Sequence, residues 1–185
     1  NIHFSSPVVN VAKIGDVEYT SLQEAENAAK DGETIVLLEN IVLDGMVTFF
    51  NSANPRMLTL DMNNKTITMS DDWDNTTAKS AFWVCDDLTI TGNGTIDANP
   101  ANGAEVYPII VGHRTAGTTD GYAGTLVIEN GTFYGNDASV ISVTNGIATI
   151  NGGTFESPGE FDLNCIDDMY KAGKANITVK GGTFA

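Results

Sequence analysis

The stretch INGGTF (Ile150–Phe155) recurs as VKGGTF (Val179–Phe184) and, earlier, as IENGTF (Ile128–Phe133). Working outward from it aligns five longer segments: LTLDMNNKTI (58–67), LTITGNGTI (88–96), LVIENGTF (126–133), ATINGGTF (148–155) and ITVKGGTF (177–184). Each is an alternating apolar run, a short turn, then Thr followed by Ile or Phe. The alternation is that of a half-buried β-strand. The aligned threonines, Thr66, Thr95, Thr132, Thr154 and Thr183, are separated by 29, 37, 22 and 29 residues. So uneven a spacing excludes a rigid code and suits a solenoid whose corners accept insertions.

A further apolar run lies between successive repeats: AFWV (81–84), PIIV (108–111), SVISV (139–143) and LNCI (163–166). TIVLL, IVLDG and MVTFF read as an earlier, degenerate round of the same pattern. Three short strands per round predict an all-β fold, a right-handed single-stranded parallel β-helix of about five coils. In that fold Ile67, Ile96, Phe133, Phe155 and Phe184 stack along the interior, ~4.8 Å apart. The residues before the threonine are Lys65, Gly94, Gly131, Gly153 and Gly182, preceded by Asn64, Asn93, Asn130, Gly152 and Gly181. These residue types tolerate a left-handed backbone, so the repeat reads as a corner.

Only one segment reads as a helix, Leu22–Lys30. Ser21 and Glu24 have capping-box spacing, Leu22, Ala25, Ala28 and Ala29 form an apolar stripe, and Gly32 stands where a terminating glycine belongs. Such a helix would cover the first coil, whose open end otherwise exposes core side chains and unpaired backbone. The chain therefore divides into an N-terminal strand and capping helix (1–33) and the coils (34–185) of one domain. No cap follows the last GTF segment, an expectation that this is a module of a longer protein.

The chain has 185 residues, 42% of them hydrophobic, as a folded protein requires, and a net charge of −15. So acidic a surface opposes nucleic acid as a partner and anionic membrane surfaces. It is compatible with neutral sugars or divalent cations. No apolar run is long enough to insert into a membrane, and no signal peptide is visible. Cys85 and Cys165 fall about three rungs apart, too far for a disulfide, and are expected as free thiols. Asn-x-Ser/Thr sequons at Asn64, Asn75, Asn93, Asn130 and Asn176 largely coincide with the repeat corner.

VAKIGDVEYTSLQEAENAAKDGETIVLLENI (11–41), followed by the GTI and GGTF repeats, resembles the pectate-lyase-like β-helix modules of bacterial surface proteins, of the kind carried by gut Bacteroidetes and Firmicutes. The resemblance spans about Val11 to Phe184. It implies the fold and a secreted or cell-surface location. It does not imply one function, because that superfamily includes lyases, hydrolases, adhesins and carbohydrate-binding stalks.

Chemistry is expected where the coils differ. The third strand of successive coils exits into Asp86 and Asp87, then His113 and Arg114, then Thr144 and Asn145, then Asp167 and Asp168. The longest insertions, 113–124 and 167–176, leave from the same corner and would frame a groove. An enzyme of the resembling family, a polysaccharide lyase or glycoside hydrolase acting on acidic polysaccharide, would use Asp86, Asp87, His113, Arg114, Asp167 and Asp168 as its acids, bases and Ca²⁺ ligands. Against it, the ordered motifs of the pectin-degrading hydrolases are absent, and paired Asp at a strand exit is also ordinary turn chemistry. No zinc-type His/Cys cluster occurs. The reading that asks less is a non-catalytic module that binds polysaccharide or host glycan, or serves as an adhesive spacer. Trp73, Tyr122 and Tyr170, in loop contexts, would be its stacking platforms, with Trp83 half-buried in packing.

Overall fold

In the computed structural model, which describes residues 6–136 and 138–185, the chain begins with a hairpin, β1 (Ala12–Ile14) and β2 (Val17–Tyr19). A helix follows, α1 (Leu22–Ala28). The chain then passes through strands in rounds of three. The first round is β3 (Thr34–Leu37), β4 (Ile41–Leu43) and β5 (Val47–Phe49). Next come β6 (Met57–Asp61), β7 (Thr66–Met69) and β8 (Ser80–Val84), then β9 (Asp87–Thr91), β10 (Thr95–Asp97) and β11 (Tyr107–Val111). β12 (Gly124–Ile128), β13 (Thr132–Tyr134) and β14 (Ile141–Val143) form a further round, and β15 (Gly146–Ile150), β16 (Thr154–Glu156) and β17 (Leu163–Cys165) another. A short helix, α2 (Asp167–Lys171), precedes β18 (Ala175–Val179) and β19 (Thr183–Phe184).

Every third strand pairs in parallel with the next of its kind. Among the described residues one sheet holds β3, β6, β9, β12, β15 and β18, with β1 and β2 added antiparallel at its edge. A second holds β4, β7, β10, β13, β16 and β19, and a third holds β5, β8, β11, β14 and β17. This is an all-β, mostly parallel architecture, and its order is compatible with a β-helix. No helix in the described residues is long and apolar enough to cross a membrane.

The register matches the sequence alignment residue for residue. Thr66, Thr95, Thr132, Thr154 and Thr183 are consecutive partners, as are Ile67, Ile96, Phe133, Phe155 and Phe184. Ile67, Ile96, Phe133 and Phe155 are buried. The rings of Phe133 and Phe155 stack at 5.2 Å with 10° between their planes, and those of Phe155 and Phe184 at 5.2 Å and 14°. Offset stacking of this kind adds ~0.5–1.5 kcal/mol per pair to burial. The corner glycines serve two different needs. Gly131 has φ +120°, closed to most side chains. Gly94 has no positive φ; a Cβ there would come within 2.5 Å of the Lys65 carbonyl oxygen of the coil beside it.

The N-terminal cap differs in detail from expectation. α1 ends at Ala28 rather than Lys30, because Ala29 has extended angles (φ −64°, ψ 137°). Gly32 does not terminate the helix; it lies in the following turn (φ +81°) and its N–H donates to the Met57 carbonyl at 2.8 Å. Ala28 is exposed, and Glu26 is buried in its place. The capping box is present in part: Ser21 Oγ accepts from Glu24 N at 3.1 Å, while the Glu24 carboxylate reaches back to Thr20. The expected N-terminal strand is a two-strand hairpin, and α2 was not expected at all.

Covering the edge is more specific than apolar contact. The Gln23 amide meets the edge of β5 as another strand would, accepting from Thr48 N at 2.8 Å and donating to Thr48 O at 3.2 Å. Glu26 accepts from Phe50 N at 3.2 Å. Behind them lies Arg56. Its Nε and Nη2 donate to Asp86 Oδ2 at 2.9 and 2.7 Å, its Nη2 donates also to Glu26 Oε1, and its Nη1 donates to the carbonyls of Glu26 and Ala29 at 2.8 and 3.1 Å. All five guanidinium N–H groups are thus engaged, which is what a buried Arg needs.

Candidate functional site

Strand alternation in the third sheet sends Phe82, Val84, Ile109 and Val111 into the core, where each is fully buried. It leaves Trp83 and Ile110, partners across the ladder, half-buried on the outer face. These two floor a groove of about 420 Å³. Lys79, from the end of the 70–80 loop, and Arg114, from the start of the 113–124 loop, also line it, with Thr144 and Ile166 further along.

The groove adjoins a closed cluster of four aromatic rings, with Phe50 lying 6.3 Å from Trp83. Trp83 lies 5.7 Å from His113, His113 lies 6.3 Å from Tyr122, and Tyr122 lies 4.8 Å from Phe50. The Trp83 indole N–H donates to the Gly112 carbonyl at 2.9 Å, which fixes the orientation of its ring. Thr144 Oγ1 donates to the same carbonyl at 2.7 Å. Tyr122 is half exposed, at 51%. His113 Nδ1 is buried with no hydrogen-bond partner among the described residues.

Arg114 and Asp168 do come together. Arg114 Nη1 donates to Asp168 Oδ2 at 2.7 Å, a bond that holds the Asp168 carboxyl below its ordinary value. Lys174 adds a second tie between the same segments, donating to the Thr119 carbonyl at 2.7 Å with Asp120 at 3.7 Å. The two insertions predicted to flank one corner are therefore joined at two points.

The remaining acidic residues do not converge. Asp86 turns inward, 2% exposed, to the Arg56 ion pair and away from the groove. Asp87 opens β9 on the exposed face of the first sheet, between Met57 and Thr125. Asp167 faces solvent, with Lys171 at 3.8 Å. Among the described residues no three His, Cys, Asp or Glu side chains gather in a way that would hold a metal ion. Trp73, expected as an exposed platform, is 2% exposed; its indole N–H donates to the Ala78 carbonyl at 2.8 Å, closing its own loop. Tyr170 is exposed on α2, apart from the aromatic cluster.

Sequence reasoning named neither Phe50 nor Lys79; it placed Trp83 half-buried in packing, which is how the structure has it, but did not count it as part of the groove. A signal for Trp83 was present: in AFWV, strict alternation that sends Phe82 and Val84 inward sends Trp83 out. No family model, curated protein or solved structure matches the chain.

Proposed function

We propose that this chain is a right-handed single-stranded parallel β-helix module of the pectate-lyase-like type, of about five coils, which binds carbohydrate without acting on it. We place it in a secreted or cell-surface protein of a bacterium. The observation that carries the reading is the cluster of Trp83, His113, Tyr122 and Phe50 beside a groove with Arg114 and Lys79 on its walls. Sugar rings present apolar C–H faces to aromatic rings and hydroxyls to polar neighbours, so a mostly apolar cleft with a few polar groups suits them. The inward turn of Asp86 and the separation of Asp87 from Asp167 favour binding over hydrolysis or elimination. A glycan array tests it, run together with a polysaccharide-degradation screen with and without Ca²⁺. Saturable binding lost in Trp83→Ala, with no depolymerisation, is expected. Depolymerisation by the wild-type chain would establish the lyase or hydrolase alternative instead.

A further inference from the structure

On the reading of the groove as a sugar site, we infer that its ligand carries a single carboxylate-bearing sugar at the end of an otherwise neutral glycan, and that Asp168 competes with that carboxylate for Arg114. Three observations combine. The chain carries a net charge of −15, which repels a polyanion along its length. Two of its few cations, Lys79 and Arg114, nevertheless line one groove. A ligand with one negative charge gains from that local pair without meeting the acidic remainder of the surface.

Arg114 is not free in this state. Its Nη1 is bound to Asp168 Oδ2 at 2.7 Å. The Asp168 side chain is 69% exposed and that of Arg114 26% exposed. An ion pair this open to water contributes little to stability. A ligand carboxylate that meets the guanidinium in bidentate geometry replaces it at little cost. Exchange does not release the loop, because Lys174 still holds the Thr119 carbonyl. The switch thus needs only rotation of side chains at the wall of the groove. Trp83 offers its ring to the neutral part of the ligand.

Titration calorimetry of the intact chain with sialyllactose, and with lactose as its uncharged counterpart, tests the inference. The wild type is expected to bind sialyllactose more tightly than lactose. Asp168→Asn should widen the ratio of the two affinities by about 2- to 5-fold, the factor that corresponds to losing an exposed competing pair. Arg114→Gln should bring the two affinities together, and Trp83→Ala should weaken both. Thermal melts of each variant control for folding. Equal wild-type affinities, or a ratio unmoved by Asp168→Asn, would overturn the inference while leaving the sugar site standing, provided lactose binds and Trp83→Ala weakens it. Binding of neither sugar would overturn both.

Discussion

Arg56 donates from both Nε and Nη2 to one carboxylate oxygen of Asp86, in a site where neither side chain is more than 5% exposed. Glu26 of α1 closes the other side. One cation therefore ties the capping helix to the exit of β8, across 30 residues of chain in each direction. Breaking such a site by removing one partner leaves uncompensated buried charge and costs about 3–5 kcal/mol. Arg56→Leu is expected to lose that much in urea unfolding. Replacing Glu26, Arg56 and Asp86 together by apolar residues should lose much less. Equal losses in both would mean that the triad is not what matters at this position.

The same site makes stability depend on pH. Burial raises the Glu26 carboxyl above its ordinary 4.5, outweighing its hydrogen bond and charge attraction to Arg56. A group with a raised folded-state pKa contributes stability that is fully present below its unfolded pKa and lost as pH rises through the folded one. The stability of the wild type minus that of Glu26→Gln should therefore fall as pH is raised from 4.5 upward. Asp168 runs in the opposite sense. Its pKa is depressed by the Arg114 hydrogen bond, so its contribution is present at neutral pH and lost as pH falls below 3.8. Denaturation in steps from about pH 3 to pH 7 follows both.

Position along the stack of rings should set the cost of losing one. Phe155 is fully buried, with Phe133 on one side and Phe184 on the other. Phe155→Ala is expected to cost ~3–5 kcal/mol, as for other buried rings. Phe184, 38% exposed and with one ring neighbour, should cost clearly less. Chemical denaturation of the two variants, compared side by side, measures the difference. Equal costs would show that the stack does not behave as an interior column.

The two thiols should differ in reactivity. Both cysteines are free. Burial, then the neighbouring Asp86 charge, pushes the Cys85 thiol up to about 12. Burial also raises the Cys165 thiol, which is less enclosed. Because the thiolate is the reacting species, a disulfide reagent near pH 8 is expected to modify Cys165 first. Cys85 should react only as the chain unfolds. Mass mapping of the modified peptide over time distinguishes the two.

What could be read directly from the residues was the part that repeats. Alternation of period two placed Ile67, Ile96, Phe133, Phe155 and Phe184 inward, and the Asn/Gly turns placed the corners. Each of these is a local property, and stacking carries it unchanged from coil to coil. The free thiols and the corner that the 113–124 and 167–176 insertions share followed from the same alignment. The site itself is built from what does not repeat. Trp83 meets Phe50 and His113 across neighbouring coils, Tyr122 reaches both of those from the 113–124 loop, and Asp86 meets Arg56 because a turn aims its side chain inward. Trp73 went the other way, buried by a hydrogen bond inside its own loop. The direction of a side chain at a corner or in a loop depends on backbone angles and on neighbours distant in sequence. Neither leaves a trace in the periodicity that otherwise declares this fold.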